Sequence, residues 1–137
     1  MKSIRIPCLL ITLIVIELLA CLSCFAADAK LVKAIHMVET SGRLGPIRGD
    51  NGRALGPLQI HRDYWQDSGV AGKYEDCAKL DYSIKVVKAY MQRYAPQAVA
   101  RKDYDTLARL HNAGPRALKN KKIALDYSKR VRQYIRQ

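Results

Sequence analysis

At 137 residues the chain has room for one domain with a buried core and not for two. Its 24 Lys+Arg against 12 Asp+Glu leave a formal net charge of +12, a surplus that attracts polyanions (nucleic acid, an anionic membrane, anionic cell-wall polymers) or simply keeps a surface solvated. Three of the four cysteines (Cys8, Cys21, Cys24) precede residue 27, so a domain starting there holds Cys77 alone, which excludes a disulfide-stapled scaffold.

The first stretch reads as a targeting segment. Lys2 and Arg5 precede an apolar run from Ile6 to Ile16, and small residues follow near Ala26 and Ala27, the layout of a secretory signal. This predicts a signal peptide over residues 1–26, an exported domain over 27–137, and a secreted or periplasmic location, which counts against nucleic acid as a partner. Two other readings use the same residues. Leu18-Leu19-Ala20-Cys21 has the form of a lipoprotein signal that would place a lipid on Cys21. The stretch from Ile6 to Ala27 is also about as long as a bilayer span of roughly 20 residues, although Glu17 in its middle opposes stable spanning. After cleavage no stable membrane span is expected, and the domain is expected to be a monomer.

From Ala29 to Thr40, Leu31, Ala34, Ile35 and Val38 recur at helical spacing, with Asp28 as N-cap and Gly42 as terminator. Glu39 lies in the last turn, where the helix dipole and apolar neighbours both push its pKa upward. Between Gly42 and Ile60, seven Gly and Pro residues and the turn signal Asp50-Asn51-Gly52 predict a short hairpin or irregular β segment that shapes a cleft. A short helix begins over His61 to Gln66, followed by a loop through Gly69 and Gly72. Asp76 then caps a long core helix from about Cys77 to Tyr94, with Leu80, Ile84, Val87, Tyr90, Met91 and Tyr94 inward. A helix from Asp103 to about Asn112 buries Leu107 and Leu110 and stops at Ala113-Gly114-Pro115. The last helix, near Leu125 to Ile135, turns Val131, Tyr134 and Ile135 to one side.

Glu39 and Asp50 fit the division of labour that glycosidic cleavage requires: one carboxylic acid to protonate the leaving oxygen, and a carboxylate to stabilise or attack the developing oxocarbenium ion. Glu39 ends a helix among apolar residues, which favours holding a proton; Asp50 lies in a polar turn between Arg48 and Arg53, which favours staying ionised. As bare spacing, two acids eleven apart are equally a surface Glu and a turn-forming Asp.

Four segments in order add to this: Glu39-Thr40-Ser41-Gly42, Gly49-Asp50-Asn51-Gly52, Ala54-Leu55-Gly56-Pro57-Leu58-Gln59-Ile60 and His111-Asn112-Ala113-Gly114-Pro115. Together with Tyr64-Trp65 and the Tyr90 to Tyr94 region they resemble the motifs of the lysozyme superfamily, most of all those of invertebrate-type lysozymes and their bacterial relatives. The resemblance covers nearly all of residues 27–137. It implies an α+β, lysozyme-like fold, mainly helical with a short β-hairpin beside the active-site cleft, Glu39 as general acid, Asp50 as second carboxylate, and Gln59, Tyr64, His111 and Asn112 as substrate-binding residues. It further implies an exported muramidase that hydrolyses the glycan strands of peptidoglycan with retention, needs no cofactor, and is drawn to anionic wall polymers. Invertebrate members are usually disulfide-rich, whereas this domain has no internal disulfide. Ala113 stands where those enzymes usually carry glycine, and Asn-Ala-Gly-Pro is similar to lytic transglycosylases, which work with one Glu and release an anhydro sugar. That enzyme class and a non-catalytic basic wall-binding module are the alternatives.

Other residues have plainer readings. His36 and Glu39 lie three apart on one helix, but no further His or Cys supplies metal ligands at recognisable spacing, and no metal is expected. Tyr64 and Trp65 are as readily packing residues as sugar platforms, Tyr90 and Tyr94 read as core, His111 read alone is a buried histidine at a helix end, and Cys77 is an inert, partly buried thiol.

Overall fold

The computed structural model describes residues 29–137; Asp28, the leader, its cleavage site and Cys21 lie outside these residues. Helix α1 occupies residues 29–40 and ends where Ser41 and Gly42 take left-handed backbone angles. Strands β1 (Arg48–Gly49), β2 (Ala54–Leu55) and β3 (Ile60–His61) form an antiparallel sheet in that order, pairing Gly49 with Ala54 and Leu55 with Ile60. Then follow α2 (Arg62–Ser68), a short 3-10 helix (Tyr74–Ala78), α3 (Leu80–Tyr94), α4 (Pro96–Ala100), α5 (Tyr104–Ala113), α6 (Arg116–Lys119) and α7 (Leu125–Ile135). This is the expected α+β arrangement, with the sheet small enough to serve as the lining of a cleft. None of the described helices is long and apolar enough to cross a membrane.

One apolar cluster holds the elements together. Leu31 and Ile35 of α1 meet Val86, Val87 and Met91 of α3, Leu107 and Leu110 of α5, and Tyr127 and Val131 of α7, all buried. The hairpin adds Leu55, Leu58 and Ile60, so strands of two residues survive because their inward side chains join a core built by helices. Cys77 is fully buried within it, and burial, with Asp76 and Glu75 nearby, pushes its thiol up to about 12. Such a group is an inert filler, as the sequence indicated.

Three local expectations need correction. The long core helix starts at Leu80 rather than Cys77, because the Asp76 carboxylate accepts from the Lys73 backbone N–H at 3.0 Å and closes a 3-10 turn. The chain then extends at Lys79, and Ser83 Oγ donates to the buried Cys77 carbonyl at 2.7 Å. Tyr134 is 38% exposed: Tyr127, Ser128 and Val131 set the buried stripe of α7, and Tyr134 falls on its flank near the helix end. The stripe of α3 centres on Ser83, Val86, Val87, Tyr90 and Met91, leaving Leu80 and Ile84 partly covered. By contrast α5 begins as expected, with Asp103 accepting from Thr106 N at 3.1 Å, a cap worth about 1 kcal/mol.

Charged side chains fasten α5 to both α7 and α6. Asp105 receives Arg109 Nε at 3.3 Å and Arg132 Nη2, while the buried Arg109 also donates through Nη1 to the Ala117 carbonyl at 2.7 Å. Burial raises the Asp105 pKa, but Ser128, Arg132 and Arg109 outweigh it and leave the carboxyl below its ordinary value. Because the folded state binds this proton less readily than the unfolded chain, the contribution is present above the ordinary carboxylate value of 3.8 and is lost as pH falls through the depressed one. The thermal midpoint is therefore expected to fall on acidification below about 4, and Asp105→Asn to flatten that dependence; an identical acid limb in the variant would remove this joint from the account.

Candidate active site

A cleft of about 700 Å³ runs between the hairpin and the helices, lined by Glu39, Asp50, Gln59, Tyr64, His111 and Asn112 among others. All six residues singled out from sequence therefore border one space. What their side chains do in it differs.

Glu39 reaches the cleft from the last turn of α1. The turn is pinned to the far side of the hairpin by Thr40, whose hydroxyl donates to the Pro57 carbonyl at 2.9 Å. His36 stabilises the exit of the same helix by donating from Nε2 to the Arg43 carbonyl at 2.8 Å, and among the described residues no group of His, Cys, Asp and Glu forms a metal cage. Behind the carboxyl group, Tyr127 of α7 donates its hydroxyl to Glu39 Oε1 at 2.6 Å. His111 Nε2 stands 3.6 Å from that same oxygen, just beyond hydrogen-bond length.

The protonation of Glu39 is opposite to the sequence expectation. Burial is the largest single influence and does raise its pKa, but His111, Tyr127 and Arg130 together bring the carboxyl below its ordinary value. Sequence shows the helix end and the apolar neighbours; it does not show the Tyr127 hydroxyl, the His111 ring and the Arg130 guanidinium brought to the carboxyl by α5 and α7.

Asp50 borders the same cleft from the turn after β1, where it and Asn51 both have positive φ, 47° and 55°. Arg53 Nη2 pairs with its Oδ1 at 2.9 Å, and His61 Nε2 lies 3.3 Å from Oδ2, so its two oxygens have separate partners. Arg53 was legible as a flanking residue. His61 was not, since it arrives from β3, where it pairs with Ala54 across the sheet.

Gln59 lines the wall but spends its amide on the scaffold: Nε2 donates to the Gly56 carbonyl at 2.8 Å and faces the Ile47 carbonyl at 3.3 Å. Its Oε1 occupies the space beside Gly49, where a Cβ would lie only 1.9 Å away, so a side chain at 49 would evict Gln59 from the cleft. Tyr64 forms the floor. Its ring stacks on Tyr90 at 3.6 Å and 14°, and its hydroxyl contacts His111 Nδ1 at 3.2 Å. Burial and Tyr90 hold the Tyr64 hydroxyl protonated well beyond the ordinary tyrosine range. His111 thus bridges Tyr64 and Glu39 while buried at the end of α5, joining the two readings its sequence position allowed. Asn112 is exposed at the cleft edge, beside Gly114, Pro115 and Arg116.

Trp65 lies off the cleft, donating from Nε1 to the Tyr82 hydroxyl at 2.9 Å, a packing role. Tyr90 belongs to core and cleft together, being 3% exposed under Tyr64. The residues missed from sequence are Tyr127, Arg130, His61 and the pair Asp63 and Asp67, which adds acidic groups to the α2 wall. Tyr127 carried a faint signal, a tyrosine one turn before Val131 on a buried stripe, whose hydroxyl must find a partner.

The sequence profile of the family described as Destabilase matches residues 19–134. The chain belongs to the Destabilase family, that of the invertebrate-type lysozymes. Among its relatives, Lysozyme 1 of Crassostrea virginica is 39% identical over 72 residues, 51% of this chain and 39% of that protein. The invertebrate-type lysozyme of Ruditapes philippinarum is 39% identical over 80 residues, 55% of this chain and 59% of that protein. In both cases the alignment spans less than two-thirds of the relative. A chain in the crystal structure of Aeromonas hydrophila PliI in complex with Meretrix lusoria lysozyme superposes with a TM-score of 0.63 at 28% identity, covering 76% of this chain and 87% of that one. Family membership agrees with the lysozyme-like fold that the motif resemblance implied.

Proposed function

We propose that this family member is an exported muramidase that hydrolyses the glycan strands of peptidoglycan with retention. The observation that carries the reading is that Glu39 and Asp50 border one cleft from different elements, with Gln59, Tyr64, His111 and Asn112 around them. The lysozyme names of its relatives support the same activity. In this reading Glu39 protonates the bridging oxygen and Asp50 stabilises or attacks the oxocarbenium ion. Because the free carboxyl of Glu39 sits below its ordinary value, the proton is taken up when a glycan fills the cleft, excludes water and strengthens the effect of burial. The reading calls for no cofactor, for anionic wall polymers as secondary partners of the basic surface, and for a monomer.

Ala113-Gly114-Pro115 at the cleft edge favours a second reading, a lytic transglycosylase in which Glu39 acts alone. Mass spectrometry of peptidoglycan digested by the purified protein separates them. Reducing muramic acid ends are expected; anhydro ends would transfer the assignment to the second reading, and an absence of cleavage with retained wall binding would leave a binding module.

A further inference from the structure

We propose that Tyr127 is a positioning residue for Glu39: by donating to Oε1 it holds the carboxyl group so that Oε2 carries and delivers the proton. The inference rests on the reading of Glu39 as general acid. Its basis is that both neighbouring contacts fall on one oxygen, the Tyr127 hydroxyl at 2.6 Å and His111 Nε2 at 3.6 Å, each on Oε1.

A neutral carboxyl group has one carbonyl-like oxygen that only accepts and one hydroxyl that donates. A fixed donor at Oε1 selects that oxygen as the acceptor and assigns the proton to Oε2. Tyr127 is suited to this because it is 4% exposed and because burial and the adjacent Glu39 hold its hydroxyl protonated well beyond the ordinary range. The groups facing the pair are His111 from α5, with its ring 6.2 Å from that of Tyr127, Tyr64 behind His111, and Arg130 on α7, its guanidinium 5.5 Å from the Tyr127 ring centroid. Asp50 borders the same cleft from the turn after β1. Tyr127, Arg130 and His111 all favour the ionised Glu39, so losing the Tyr127 hydroxyl has two effects of opposite sign. The acid loses its fixed orientation, which slows the reaction, and it becomes easier to protonate, which extends activity to higher pH.

The test compares wild type, Tyr127→Phe and Glu39→Gln on purified peptidoglycan across pH. For Tyr127→Phe, kcat is expected to fall about tenfold or more with KM little changed, and the alkaline limb of the pH profile is expected to move to higher pH. Replacing Tyr127 by 3-fluorotyrosine, a stronger donor of nearly the same shape, is expected to move that limb the other way. A packing defect would lower activity and leave the limb in place. Unchanged kcat, or an alkaline limb fixed in both variants, would overturn the positioning role. If instead Glu39→Gln cleaves as well as wild type, the general-acid reading itself has failed; an inactive Glu39→Gln beside an ordinary Tyr127→Phe condemns the positioning role alone.

Discussion

Glu39→Gln is expected to lower the rate of peptidoglycan cleavage by about 10²–10⁴-fold, the range that loss of a general acid commands. Glutamine keeps the shape of the side chain, and its amide oxygen can still accept the Tyr127 hydroxyl that Glu39 Oε1 accepts at 2.6 Å. What disappears is the proton for the leaving oxygen. Binding should survive, because Gln59, Asn112 and the stacked floor of Tyr64 on Tyr90 are untouched. The Glu39 carboxyl lies below its ordinary value of 4.5 in the folded state, so the charged group adds stability above that value and loses it as pH falls through the depressed one. The variant should consequently be slightly less stable than wild type at neutral pH and converge with it in acid. A turbidity assay on cell walls and a melting curve measure the two effects; full lysis by the variant would end the assignment of Glu39.

Gly56→Ala is expected to destabilise the domain by about 3 kcal/mol, roughly 10–20 °C in thermal midpoint. Two costs add here. The residue has φ +83°, a region an alanine enters only with strain, and an added Cβ would stand 1.8 Å from the Cys77 carbonyl oxygen and 2.7 Å from its carbon. Those atoms are backbone of the 3-10 helix, itself tied to the hairpin by the Tyr74 hydroxyl donating to the Ile60 carbonyl at 2.7 Å, so neither side can give cheaply. Gly52 is the control. Its φ of +85° is nearly the same, but nothing lies within 4 Å of its would-be Cβ, so Gly52→Ala should cost the strain alone, about 1 kcal/mol. Equal melting points for the two variants would mean that the close approach of hairpin and 3-10 helix is not what holds them together.

How far the sequence carries depends on the range of the interaction that decides each feature. Helices α1, α5 and α7 were legible because Leu31, Ile35, Leu107, Leu110 and Val131 recur at the helical period and Asp103 caps in place. Asp76 misled because a carboxylate can serve either a backbone N–H ahead of it or one behind, and only tertiary packing of Cys77 chose the second. Helices α4 and α6, of 5 and 4 residues, are too short to show a period. The site divides the same way. Motif order brought Glu39, Asp50, Gln59, Tyr64, His111 and Asn112 together as candidates, while the sign of the Glu39 shift was out of reach because Tyr127 and Arg130 belong to the last helix.

That separation of 88 residues between Glu39 and its hydroxyl partner also sets an order of events in folding. Contacts between distant segments form late, after the loop-closure entropy of everything between them has been spent. On the reading of Glu39 as the acid, a chain that has formed the first helix, the hairpin and the tyrosines of the cleft is expected to keep that acid unset until α7 docks against α5. Competence to cut is then expected among the last properties acquired, and a nick in the exposed stretch around residues 120–122 is expected to weaken it while leaving most of the cleft's walls standing.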